Sequence, residues 1–369
     1  MAKDGVVLDP RAWVIATPQL MARRPMLQDP SAWDGVVADE STWMKSPRTE
    51  QGRLAVRRLS KFKLRAALTG LPNPQSTLEL FNQMAFALGG SWMGHSTYWG
   101  WLRAHFRKAG FDWVPFTGSE TKIREAFHRD AYVLSRAEVG ADQRRIREKI
   151  GGQLEGRASA IYERIARTWS VPKIETKNAL EVTTWMRRVA GGHAPGQALP
   201  CWKYPALLKL LTEGDLANQQ VVVYFSFKEE LRRAWLDLQE ADVSATWVTG
   251  DLDLDERATR IHRFQNSERR VLLISLACGK FGLNLSCSDA AIYFSGTWSF
   301  ETRRQSEDRL SLSNKKADLL YIDLITEDTA DEDVAEACKV RAASSSFFLS
   351  KVRIRHENQA HRPPINPDD

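Results

Sequence analysis

Short, unbroken apolar runs recur along the chain, separated by longer stretches with helical periodicity. In the first third they are Trp13-Val-Ile-Ala-Thr17, Gly35-Val-Val-Ala-Asp39 and Arg65-Ala-Ala-Leu-Thr69. In the second half they are Val221-Val-Val-Tyr-Phe225, Thr246-Trp-Val248, Val271-Leu-Leu-Ile-Ser275, Ala290-Ala-Ile-Tyr-Phe294 and Leu319-Leu-Tyr-Ile-Asp323. Continuous rather than alternating hydrophobicity suits strands covered on both faces. Strands separated by helical stretches need crossover connections, and crossovers make parallel sheets. The pattern therefore predicts an α/β protein with two parallel-sheet lobes.

The region 141–200 reads differently. It opens with Asp142-Gln-Arg-Arg-Ile-Arg-Glu-Lys-Ile150, whose charges predict a helix, and closes on the chain-breaking Gly191-Gly-His-Ala-Pro-Gly196. The expected organisation is a first lobe over 1–140, a helical linker over 141–200, a second lobe over 201–345 and a fraying tail over 346–369.

Composition narrows the class. Of 369 residues, 43% are hydrophobic and 27% charged, which is globular rather than disordered. No apolar run approaches the ~18 residues of a membrane span, and the opening residues carry too short an apolar stretch for a secretory leader. The four cysteines, Cys201, Cys278, Cys287 and Cys338, lack metal-ligand spacing and read as reduced thiols of a cytoplasmic protein. A net charge of +6 permits nucleic-acid binding without requiring it. The 13 tryptophans suit cores and lobe interfaces, with some able to stack on bases.

Four motifs carry candidate chemistry. Asp39-Glu40-Ser41 ends the second apolar run, and ligands of open α/β sheets bind at the carboxyl ends of strands. In a nucleotide hydrolase, the first carboxylate of such a pair holds magnesium through water and the second polarises the attacking water. The alternative is a solvated strand end. Thr69-Gly70-Leu-Pro72 also ends a strand, and such a turn can couple nucleotide state to lobe movement. Ser275-Leu-Ala-Cys-Gly279-Lys280-Phe-Gly282-Leu-Asn284-Leu has glycines that let backbone amides approach phosphate. Trp298-Ser-Phe-Glu-Thr-Arg-Arg-Gln305-Ser-Glu-Asp-Arg309 predicts a helix whose Arg309 can neutralise charge on a transferring phosphoryl group. Otherwise it is a surface helix laced with ion pairs.

In order and spacing these motifs resemble the Swi/Snf-like branch of superfamily-two helicases, particularly the shorter forms of bacteriophages, from about Trp13 to Thr329. Asp39-Glu40-Ser41 resembles the family's Asp-Glu-Ala-His, and Lys45-Ser-Pro47 its Lys-Asn-Pro. Leu68-Thr-Gly-Leu-Pro72 is similar to Leu-Thr-Gly-Thr-Pro. Tyr224-Phe-Ser-Phe-Lys-Glu-Glu-Leu231 looks like the opening of the second lobe, and Glu256-Arg257 with Ile261-His-Arg-Phe264 like its Glu-Arg…Phe helix. Gly279 to Leu285 is similar to Gly-Gly-x-Gly-Leu-Asn-Leu, and Gln305…Arg309 to the segment with the glutamine and arginine finger.

The resemblance implies RecA-like lobes, an ATP and magnesium requirement, and DNA as a sequence-independent partner. It implies Glu40 and Arg309 as catalytic residues, Asp39 as the magnesium residue, and Asp39, Gln305 and Gly282 as nucleotide contacts. It places Thr69, Gly279, Lys280 and Asn284 on DNA, mostly on phosphates. Arg144, Arg145 and Arg147 are weaker DNA candidates whose alternative is a solvated helix face.

The departures from the pattern are specific. No Gly-x-x-x-x-Gly-Lys-Ser/Thr loop occurs, and with it the strand feeding that loop is missing. The first lobe is thus expected to be incomplete and the second complete. The loop is expected on a separate N-terminal chain, or else has been lost. Leu312 stands where the family has a second arginine, Asn314-Lys315 where it has Gly-Gln, and Leu71 where it has threonine. The leading expectation is a DNA translocase or helicase fragment completed by another chain, with no membrane association and a bacterial or phage-infected cytoplasm as its setting. The rivals are a non-hydrolysing nucleic-acid-binding module and an inactive gene fragment.

Overall fold

A computed structural model of the chain describes residues 13–73, 75–134, 138, 143–171, 174, 178–278, 282–311 and 317–360, with side chains through Ser345. The chain divides into two compact units, Met1–Val133 with Ala343–Asp369, and Leu134–Ala342.

The first unit runs α1 (Pro18–Arg23), β1 (Gly35–Ala38), α2 (Glu50–Arg57), β2 (Leu64–Ala67), α3 (Leu80–Ala87), α4 (Tyr98–His105), β3 (Phe106–Ala109), β4 (Asp112–Pro115) and α5 (Ser119–Asp130). Strands β1 and β2 pair in parallel, Gly35 opposite Leu64 and Ala38 opposite Ala67, in a sheet of two strands among the described residues. The pair is poorly covered. Val37 is 49%, Leu64 63% and Leu68 51% exposed, although parallel strands are ordinarily buried on both faces. This is an incomplete parallel-sheet lobe. Only one face packs, on Met44, Leu54, Phe62 and Phe86, and a second core gathers around α3, α4 and α5, where Leu80, Phe81, Trp92, Trp101, Ile123 and Phe127 meet.

The predicted strand at Trp13–Thr17 is not formed. Thr17 caps α1, its side chain accepting from the amide of Leu20, and Pro18 opens that helix. Trp13 and Ile15 are almost fully exposed, and an apolar run with no neighbouring strand has no ladder to join.

The second unit runs β5 (Arg145–Gly152), α6 (Gly156–Thr168), α7 (Ala179–Ala190), β6 (His193–Ala194), β7 (Gln197–Ala198), α8 (Lys203–Thr212), β8 (Val221–Phe225), α9 (Lys228–Glu240), β9 (Ala245–Val248), α10 (Leu254–Gln265), β10 (Val271–Ser275), β11 (Ala290–Tyr293), α11 (Phe300–Asp308), β12 (Leu319–Thr326) and α12 (Ala330–Ala360). Six strands form one all-parallel sheet in the order β5-β12-β11-β8-β10-β9. Alternate residues of each central strand feed opposite cores. Val221, Val223 and Phe225 pack with α8 and α9, whereas Val222 and Tyr224 pack with Ile261 and Phe264 of α10. This is the complete lobe, and five of its six sheet strands are those the unbroken apolar runs predict.

The helix predicted over Asp142–Ile150 is instead strand β5, paired residue by residue with β12 from Arg145–Leu319 to Gly152–Thr326. The charges that mimic a helical surface have tertiary partners. Arg145 and Arg147 meet acids of α11, and Lys149 meets Glu332 of α12 at 3.0 Å. The strand ends in glycine because a Cβ at Gly152 would collide with the Trp202 indole. The stretch expected to be a linker therefore contributes an edge strand to the second sheet, followed by the packed pair α6 and α7.

Glu230, on α9, is wholly buried and accepts a hydrogen bond from the Ser295 hydroxyl at 2.5 Å. Burial pushes its carboxyl up to about 7, against the pull of Lys203. A raised acid binds more protons folded than unfolded, so its contribution to stability falls as pH rises from about 4.5 to about 7. Glu230→Gln is expected to flatten that fall, by on the order of 3 kcal/mol across the window. Denaturant melts of both proteins at several pH values check this, and parallel pH profiles would contradict it.

Candidate functional site

In the first unit, Asp39 and Glu40 follow β1 at its carboxyl end and both are exposed. Glu40 has φ +44, a left-handed conformation uncommon outside glycine, and the chain turns there into a short helix at Ser41–Met44. The Glu40 amide donates to an Asp39 carboxylate oxygen at 2.9 Å. The Thr69 turn leaves β2 alongside, since the Leu68 amide donates to the Ala38 carbonyl and the Ser41 amide to the Leu68 carbonyl. Thr69 is half-buried, and its hydroxyl accepts from the Leu71 amide at 3.1 Å. The structure therefore brings Asp39, Glu40 and Thr69 together.

Two residues missed by the sequence reading hold them there. Gln83, buried on α3, accepts from the Ser41 hydroxyl at 2.8 Å and donates to the Pro72 carbonyl at 2.8 Å. Its neighbour Asn82 donates to the Met44 carbonyl at 3.0 Å, and Lys45 pairs with Glu79 at 3.0 Å. One signal was available. Two amides inside the apolar stretch Leu80-Phe-Asn-Gln-Met-Ala-Phe need buried partners.

In the second unit, Gly282 (φ +29) and Asn284 are exposed in the segment after β10. The Asn284 carboxamide oxygen accepts from the Ser286 amide and hydroxyl, and its carbonyl from Gln265 at 2.7 Å. The Leu285 amide donates to the Arg309 carbonyl at 3.0 Å, joining this loop to the end of α11. Gln305 and Arg309 are both half-buried on that helix and its cap. Gly279, Lys280, Leu312, Asn314 and Lys315 lie outside the described residues.

The last turn of α11 is fastened from beneath. Tyrosines on three adjacent strands reach it. Tyr224 and Tyr321 donate to the carbonyls of Ser306 and Glu307, and Tyr293 hydrogen-bonds the Ser306 hydroxyl. Glu307, almost fully buried, binds Arg145 at 3.0 Å, Arg147 at 2.7 Å and Arg303 at 2.8 Å. Arg145 also reaches Asp308 at 2.7 Å. Burial pushes the Glu307 carboxyl up, but Arg303 and Arg147 outweigh it and hold the group below its ordinary value. Arg145 and Arg147 thus belong to a structural ion-pair network rather than to a solvated helix face. Arg144 is more exposed and lies 3.8 Å from Asp318.

Among the described residues, no group of three or more His, Cys, Asp or Glu side chains is placed to hold a metal, and no helix is long and apolar enough to cross a membrane.

Residues 202–311 match the family described as helicase conserved C-terminal domain. The ATP-dependent helicase FUN30 of Saccharomyces cerevisiae is 26% identical over 148 residues, 40% of this chain and 13% of that protein. The DNA repair protein RAD5 of Eremothecium gossypii is 29% identical over 155 residues, 39% of this chain and 14% of that one. The Sulfolobus solfataricus SWI2/SNF2 ATPase core in complex with double-stranded DNA is similar at a TM-score of 0.45 and 17% identity, over 92% of this chain and 75% of that one. The chain thus spans under a sixth of the length of these two curated relatives. The matched domain and relatives support a superfamily-two, Swi/Snf-like helicase ancestry.

Removing the Arg145 guanidinium leaves Glu307 and Asp308 short of a buried partner. Arg145→Ala is expected to destabilise the protein by about 3 kcal/mol at neutral pH, and by less in acid, where Glu307 takes up a proton. In a double-mutant cycle, Glu307→Gln should recover part of that loss. Strict additivity of the two changes would show that the pair is not coupled.

Proposed function

We propose that the chain is the larger part of an ATP-dependent DNA translocase or helicase of the Swi/Snf-like, bacteriophage type. Its phosphate-binding loop would come from polypeptide outside this sequence. One observation carries the reading. The helicase C-terminal match covers the same residues, 202–311, that build the Gly282–Leu285 loop and join it to Arg309. The exposed Val37, Leu64 and Leu68 supply a face for additional polypeptide to cover.

The roles follow from the chemistry of the side chains. Asp39 and Glu40 offer adjacent, exposed carboxylates at a strand end, a hard-oxygen donor set that fits a magnesium ion keeping most of its water. Asp39 would hold that ion. Held there, the ion would supply positive charge against the phosphate being transferred. Glu40 would orient the attacking water, and Gln305 and Gly282 would face the nucleotide. Arg309 would neutralise charge developing on the transferring phosphoryl group. Thr69, Gly279, Lys280 and Asn284 would take DNA phosphates, which gives binding without sequence preference. The ion-paired turn of α11 keeps Arg309 on a rigid carrier, so less order must be created when the charge develops.

A second reading, a nucleic-acid-binding module that does not hydrolyse ATP, is favoured by Leu312 in place of the second arginine. Mixing the chain with a polypeptide bearing the Gly-x-x-x-x-Gly-Lys-Ser/Thr loop separates the two. The expected result is DNA-stimulated phosphate release, reduced roughly 10³-fold by Arg309→Ala and strongly by Glu40→Gln. A mixture that stays inactive, with DNA affinity indifferent to ATP analogues and to Glu40→Gln, would sink the motor reading and leave the module.

A further inference from the structure

The hairpin β3–β4 carries none of the motor motifs. Its register sets Arg107 opposite Val114, Lys108 opposite Trp113 and Ala109 opposite Asp112. Its root is anchored, with Phe106 buried and Trp113 packed against the core of the first unit. Its tip is Gly110-Phe111, where Gly110 takes φ +61 and Phe111 is fully exposed. An anchored hairpin that lifts a bare phenyl ring into water loses hydrophobic free energy unless something covers the ring.

Beside it lies an open cleft of about 390 Å³, lined by Lys45, Arg48, Tyr98, Trp99, Leu102 and Trp113 among others. Trp99 is 43% exposed, with the Arg48 guanidinium 5.6 Å from its ring and Tyr98 edge-on at 5.2 Å. Arg103 follows Trp99 by one helical turn on α4 and is exposed, as are Arg107 and Lys108 just beyond. The hairpin's one acid is Asp112. Lys108 shares its face of the hairpin with Trp113, so exposed rings and cations gather on the side of the hairpin that borders the cleft.

We infer that this surface binds single-stranded nucleic acid, with bases stacking on Trp99 and Phe111 and phosphates lying on Arg48, Arg103 and Lys108. Rings open to solvent beside cations can stack on a planar, anionic partner, and only an unpaired strand offers free base faces next to a regular row of phosphates. In a duplex those faces are already stacked. The inference rests on the reading that the chain works on nucleic acid, and adds a contact that no motor motif supplies.

The test uses the full chain, a labelled oligothymidylate and a duplex of the same length, followed by fluorescence anisotropy. Phe111→Ala and Trp99→Ala are each expected to weaken single-strand binding about tenfold and to leave duplex binding unchanged, with Trp99→Phe retaining most of the affinity. Arg103→Glu with Lys108→Glu should make the dependence of affinity on salt shallower. Phe111 touches no core, so its variant should melt like the parent. Single-strand affinity untouched by Phe111→Ala and Trp99→Ala would overturn the inference, as would competition by polyglutamate equal to that by oligothymidylate. Asn284→Ala tells the two readings apart. If it weakens DNA binding while the hairpin variants do not, the motor reading stands and the hairpin site falls. If the parent chain binds neither DNA, both fall.

Discussion

A parallel sheet is stable only when both of its faces are covered. The second unit meets this condition. The central strands are almost wholly apolar, and their alternate side chains enter two separate cores beneath two sets of helices. Because all six strands run one way, their carboxyl ends share one edge, and the Gly282–Leu285 loop and the approach to α11 leave from that edge. The first unit does not meet it. A lone parallel pair packs one face on Met44, Leu54 and Phe86 but leaves Val37, Leu64 and Leu68 half-exposed on the other. The incomplete sheet and the proposed need for an additional polypeptide have the same physical origin.

Charge does in the second unit what apolar packing cannot. Glu307 is taken out of water at considerable cost, and three arginines offset it. Two of the three come from β5, a strand that precedes the rest of its sheet by three helices and a small hairpin. That pairing turns a stretch resembling a connector into part of the lobe. It also sets the position of the helix end bearing Arg309, which three tyrosines grip from the sheet below. An apolar contact would have been as stable but less directional, since guanidinium–carboxylate pairs restrict both distance and angle.

The candidate site was legible where its chemistry sits in contiguous residues. Asp39-Glu40, Thr69-Gly70 and the Gly282–Leu285 stretch each need particular residue types side by side, and each follows an apolar run recognisable as a strand. Gln83 and Arg145 were not legible in that way. Gln83 matters through Ser41 and Pro72, Arg145 through Glu307 and Asp308, and neither pairing leaves a local spacing to read. Phe111 is an ordinary residue in the sequence, and only the hairpin makes it a tip.

The sequence by itself determined the parallel α/β class, five of the six strands of the second sheet and the identity of the acidic and arginine candidates. These depend on local patterning and on side-chain chemistry that no fold can alter. Tertiary structure alone decided three things. Trp13–Thr17 stays out of the sheet because it has no neighbouring strand. Residues 145–152 form a strand because β12 offers a free edge and α11 offers acids to their arginines. The first lobe is open because coverage is a property of layers, and no stretch of sequence carries a record of the layer that is to lie across it.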